Sequence, residues 1–224
     1  MILPDQIIKS NRRTLSLTIK NSGEIIVHAP QKIQDAHINK FLEQKQGWIL
    51  SKLAQIKGNQ GKFSEVLSYN KFLLFGQEYK VLIGDVKKVE VRNDCIVLPK
   101  KTEPEKVVTT ISTFYKKKAK EILLKRLYYW QEKLKIKSNS FKITNSKGKW
   151  GSCNSKGIIT INWRAIMVLP ACIDYIIVHE LCHLIEMNHS KRFWTLVETF
   201  LPNFNQVRQT LKEYGFLLEM YRNK

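Results

Sequence analysis

Ile176-Ile-Val-His-Glu-Leu-Cys-His-Leu-Ile-Glu-Met-Asn-His189 is the stretch from which the rest of the chain can be read. His179 and His183 stand four residues apart, so on a helix they lie on nearly the same face, one turn apart. Both imidazoles can then address a single ion. Glu180 is rotated by about 100° from His179 and flanks that ion rather than binding it. From there a carboxylate can take a proton from water held by the metal. Zinc suits this pattern because it binds imidazole nitrogen and lowers the pKa of its water to about 7.

With His179 placed at the top of a helical wheel, Ile173, Ile177, Leu181, Leu184 and Ile185 fall on the opposite side. The segment is apolar except along the His/Glu stripe, as expected of a buried helix whose polar groups have a task. Two residues compete as third ligand. Glu186 would follow His183 on the same stripe if the helix continued. His189 needs the helix to end first, and Asn188 can adopt the left-handed conformation that ends one. A donor arriving from beyond a turn surrounds an ion better than three donors on one rod, which favours His189. Three protein ligands leave a coordination position open, the mark of a catalytic site. Cys182 points about 60° away from His179, on the side opposite Glu180, and is not expected to bind the metal.

The run from His179 to His183, followed by Asn188-His189-Ser190-Lys-Arg-Phe193-Trp194, resembles the YgjP/SprT-like zinc metallopeptidases. Trp150-Gly151-Ser152-Cys153, Gly157 to Arg164 and Pro170 resemble the segment that precedes the zinc helix in that family, and Gly23, Pro30 and Trp48 extend a looser likeness into the N-terminal half. The resemblance implies one zinc ion on His179, His183 and His189, with Glu180 as general base in peptide-bond hydrolysis. The histidine spacing also equals that of the metzincins, but Glu186 stands where those proteins have glycine, and no Met-turn is evident.

Net charge is the other global feature. The 224 residues carry 38 Lys+Arg against 19 Asp+Glu, a formal +19, which attracts nucleic acid, anionic membrane or acidic protein. The alternative function is accordingly a basic, DNA-associated binding protein with a structural or weakly active zinc site. Hydrolysis of a non-peptide amide is a third reading of the same residues. No apolar run reaches 18 residues, so no transmembrane helix and no membrane partner are expected. No signal peptide is expected from the N-terminal residues. The four scattered cysteines read as reduced thiols and point to the cytoplasm.

The expected fold class is α+β, with a β-rich N-terminal subdomain over 1–105 and a zincin-like catalytic core over 106–224. Residues 6–30 read as two strands of a hairpin turning at Asn21-Ser22-Gly23, with Ile7 to Lys9 leading into Asn11-Arg12-Arg13. Residues 33–57 carry helical periodicity that Gly58-Asn59-Gln60-Gly61 should break, with Trp48 as a packing anchor. Two further strand pairs turn at Gly76-Gln77 and Asn93-Asp94. Polar Pro99 to Glu105 reads as a linker, and 106–135 as one long helix whose lysine runs face outward. The glycine-bearing stretch 147–152 lacks a phosphate-loop pattern. Strand 157–163 is expected to offer its edge to a peptide substrate. Ser190 should cap a helix ending at Pro202, with Phe193 and Trp194 packed under the metal site, and a last helix should run from Asn203 to Tyr214.

Overall fold

The computed structural model describes residues 2–20 and 22–221 and has a mixed α+β architecture with three small sheets. Two compact units divide at Ser64/Glu65.

In the first unit, β2 (Ser16–Ile19) and β3 (Ile25–Pro30) form the antiparallel hairpin, with Ser16 opposite His28. Asn21 lies outside the described residues, but Gly23 closes the turn at φ +91°, with its N–H donating to the Lys20 carbonyl. β1 (Gln6–Ser10) adds parallel to the other side of β3, giving the order β1-β3-β2. Ile25, Val27 and Ala29 alternate onto the buried face and meet Ile38, Leu42 and Ile49 of α1 (Asp35–Lys62). α1 continues through Gly58 and Gly61 instead of breaking there. A glycine within a helix costs only about 1 kcal/mol. That is less than the burial of Ile56 and Phe63 at this end of the segment returns. Trp48 is 50% exposed, a correction to the expectation of a packing anchor.

The second unit begins with the short α2 (Ser64–Leu67), whose last residues belong to it, and the strands β4 (Lys71–Leu74), β5 (Gln77–Gly84), β6 (Glu90–Arg92) and β7 (Cys95–Pro99). Both expected hairpins form, and β5 pairs parallel with β7 in the order β4-β5-β7-β6. Gly76 turns the first hairpin at φ +78°. A Cβ there would meet Leu169 at 2.5 Å, so glycine is needed for space as well as for conformation. Phe75 and Gly76 donate their backbone N–H groups to the Ile166 and Met167 carbonyls. The sheet thereby joins the stretch just ahead of the metal-motif helix.

After the polar connection comes α3 (Val107–Leu134), ended by Lys135 in the left-handed conformation at φ 55°. Its buried stripe includes Ile111, Tyr115, Ala119, Leu123 and Leu127. The third sheet contains β8 (Ser140–Thr144), β9 (Gly151–Cys153) and β10 (Ile158–Asn162) in the order β8-β10-β9. β10 is therefore central: it pairs parallel with β8 and antiparallel with β9. Both its edges are used, so it cannot take a substrate strand as the sequence suggested. A 3-10 turn over Trp163–Met167 then leads into α4 (Pro170–Cys182). Ile159, Ile161 and Trp163 are buried, as are Cys172, Ile173, Ile176 and Ile177 of α4. The chain finishes with α5 (Lys191–Phe200), α6 (Phe204–Glu213) and a 3-10 turn over Tyr214–Leu218. Buried Arg164 donates to the Met220 carbonyl at 2.7 Å and to the Asn145 carboxamide at 2.7 Å, tying the C-terminal segment to the third sheet. No helix among the described residues is long and apolar enough to cross a membrane.

Candidate metal centre

α4 is the rod on which the site is built. Pro170 sits in its first turn, where a missing N–H costs nothing. The helix ends at Cys182, six residues earlier than the stop expected at Asn188. Leu184 N–H donates to the Leu181 carbonyl, and the N–H groups of Ile185 and Glu186 both reach the Cys182 carbonyl. These bonds tighten the last turn and reverse the chain without a left-handed residue. Ile185, expected in the core, is consequently 59% exposed.

The reversal brings His189 back. His183 Nε2 lies 3.2 Å from His179 Nε2, and His189 Nε2 lies 3.0 Å from the same atom. Ligand atoms of the three histidines all fall within 4.8 Å of one another. Two nitrogens bound tetrahedrally to zinc stand about 3.3 Å apart, from bond lengths of about 2.0–2.1 Å. The cluster fits a divalent ion on these grounds. The state of the rings agrees. Burial, helped by the neighbouring His183, His189 and Arg208, lowers the His179 pKa to about 3, so its imidazole is neutral and keeps a lone pair. Burial also lowers the His183 pKa. His183 Nδ1 stands 3.1 Å from the Glu186 carbonyl oxygen. A carbonyl only accepts, so Nδ1 carries the proton and Nε2 is free to ligate. Glu186 itself turns its carboxylate towards Arg192, at 3.7 Å, and contributes to the cluster through its backbone.

Aromatic rings hold the imidazoles in place. Phe193 stacks on His183 with centroids 4.5 Å apart, and Trp194 stacks on His189 at 5.5 Å. Phe204 backs Trp194 at 5.5 Å, with the Arg208 guanidinium on the same indole at 4.8 Å. The expectation that Phe193 and Trp194 lie under the site is thus met. The Ser190 hydroxyl accepts from the Phe193 N–H as the N-cap of α5, fixing where both rings project.

Glu180 is buried on the neighbouring face of α4, against β9. Burial pushes its carboxyl up to about 7, against the lowering effects of the Lys149 charge and the Cys153 backbone hydrogen bond. Gly151 makes the room: a Cβ there would stand 2.6 Å from Glu180 Oε1 and 2.8 Å from its Cγ. The loop that leads to Gly151 is pinned by Asn162, whose buried amide donates to the carbonyls of Ser146 at 2.7 Å and Lys149 at 3.2 Å. The parts played by Gly151, Asn162 and Lys149 were not read from the sequence. They arise from strand pairing, and only the glycine beside Trp150 hints at them. Cys182 is buried, its thiol pushed up to about 12, and stays outside the cluster. Tyr175 meets His179 with ring centroids 5.7 Å apart, and Tyr221 packs among Tyr69, Phe72 and Trp163.

Residues 13–214 match the family described as YgjP-like, metallopeptidase domain. The crystal structure of the metallopeptidase zymogen of Pyrococcus abyssi abylysin is similar at 21% identity and a TM-score of 0.38, covering 45% of this chain and 97% of that one. No match is found among curated proteins.

Proposed function

The chain belongs to the YgjP-like metallopeptidase family, and from that membership we propose a zinc-dependent hydrolase of peptide bonds, with a zincin-like catalytic core over 106–224. One zinc ion is held by His179, His183 and His189. The convergence of these three imidazoles beside a buried carboxylate is the observation that carries the reading. Nitrogen donors of this kind suit zinc. When bound, the ion supplies Lewis-acid polarisation of the scissile carbonyl and a more acidic water.

The chain's own residues do the rest. A Glu180 oxygen takes the proton of the attacking water and passes it to the leaving amide nitrogen. A carboxyl whose affinity for protons is near neutral can do both. The Cys153 N–H and the Lys149 charge favour its ionised form between turnovers. Phe193 and Trp194 fix the rings, and the Glu186 carbonyl keeps His183 in the ligating tautomer. Substrate lies extended along β9. That strand is paired with β10 on one side, has no sheet partner on the other among the described residues, and packs beside Glu180.

The test pairs metal content with digestion of an unstructured protein. Wild type should contain one zinc per chain and cut in a chelator-sensitive way. Glu180→Gln should retain zinc and lose activity by about 10²–10⁴-fold, the usual worth of a general base. Full turnover by zinc-loaded Glu180→Gln would remove Glu180 from this role.

A further inference from the structure

The observations reach furthest on α3, outside the metal centre. Its N-terminal half and the loop before β6 line an open cavity of about 630 Å³. Lys88, Lys106, Lys117 and Lys118 line it, with Phe114 and Val89 giving it apolar wall. Glu121 also lines it, but an ion pair with Lys125 at 3.2 Å answers its charge. The same face of α3 runs on past the cavity. Lys118, Lys125 and Tyr128 lie within about 40° of Phe114 around the helix axis, and Tyr128 stands about 21 Å further along. Tyr128 is 56% exposed and Tyr129 beside it 51%. The Tyr129 ring is already met edge-on by Trp130 at 5.3 Å, whereas Tyr128 offers more than half of its surface to solvent beside the lysines.

We propose that this face of α3 binds single-stranded nucleic acid, with phosphates on the lysines, one base in the cavity against Phe114 and another stacked on Tyr128. Alternation of cations with aromatic faces is what an unpaired strand requires, because every base offers a π-face and every linkage a charge. Other anions match less of the surface. An acidic peptide would use the lysines but has no flat groups for the rings. An anionic membrane would be met by a protruding apolar surface, whereas this one is concave. A duplex keeps its bases stacked away from such a platform. The net charge of +19 adds long-range attraction to any of these, and the local arrangement selects among them.

The full chain is titrated with fluorescent 20-mers of oligothymidylate and oligouridylate across a salt series, beside a polyglutamate peptide and phosphatidylglycerol vesicles. Both oligonucleotides should bind more tightly than polyglutamate or the vesicles, and the tighter of the two identifies DNA or RNA as the source. The triple variant Lys106→Gln, Lys117→Gln, Lys118→Gln should lower the slope of log affinity against log salt by about 2. Tyr128→Ala and Phe114→Leu should each weaken oligonucleotide binding by about tenfold and leave polyglutamate binding unchanged. None of these positions belongs to the metal centre, so zinc content and peptide cleavage should stay at wild-type levels. The proposal is overturned if polyglutamate or vesicles bind as well as the oligonucleotides. It is equally overturned if the triple variant keeps the wild-type slope, or if loss of the aromatic rings changes nothing.

Discussion

Gly151→Ala tests the placement of Glu180 without touching any group that reacts. The added Cβ would sit 2.6 Å from Oε1, 2.8 Å from Cγ and 2.9 Å from Cδ of Glu180. Ordinary contact begins near 3.4 Å, so one side must yield by about 0.5–0.8 Å. Glu180 cannot swing into solvent, since it is buried and accepts a backbone hydrogen bond from Cys153. β9 cannot retreat freely, because Gly151 is paired with Ile161. A displacement approaching 1 Å in a catalytic group can cost about 100-fold in rate, or about 2.7 kcal/mol of barrier. Overpacking of this size should also cost about 1–3 kcal/mol of stability. The assay is kcat and KM on a peptide substrate, with zinc content and thermal melting on the same preparation. The expected result is a folded, zinc-loaded protein with kcat down about 100-fold and KM little changed. A folded Gly151→Ala protein with wild-type kcat would show that Glu180 need not sit against β9 to act, and the argument for its role would fail.

Two further outcomes follow from the ring arrangement and the reversal of the chain. His189→Ala should lower zinc stoichiometry well below one per chain by metal analysis, whereas unchanged stoichiometry would point to Glu186 or water as third ligand. Phe193→Leu conserves most of the buried volume and should cost less than about 1.5 kcal/mol in denaturant unfolding. It removes the ring stacked on His183, so zinc should pass faster to a chromophoric chelator, and an unchanged rate would mean the stack does not hold the imidazole.

Much of this layout is visible in the residue pattern, and the exceptions share a cause. The spacing of His179 and His183 is local, and a helix turns spacing directly into geometry. The same holds for the Ser190 cap, for the long helix after the polar connection and for the hairpins around Gly76 and Asn93. Strand partners at long range are not local. Nothing in Ile158–Asn162 distinguishes a central strand from an edge, so β10 was credited with an edge that belongs to β9. The lining of Glu180 by Gly151, and the pinning of its loop by Asn162, depend on that same pairing. Trp48 failed as an anchor because side-chain size does not reveal which face of α1 meets the sheet. The helix stop was misplaced because Asn188 is a strong local signal, while the reversal actually begins at the Cys182 carbonyl, which no side chain announces.

The reversal after α4 makes two of the three nitrogens depend on one piece of backbone. It carries His189 bodily, and through the Glu186 oxygen it also decides which nitrogen of His183 keeps its proton. Only His179 owes its aim to the rod alone. In the proposed zinc site, affinity for the ion would therefore be cooperative along residues 183–189: whatever unravels that short span would leave a single imidazole in register, and one imidazole is too few to retain a divalent cation against water.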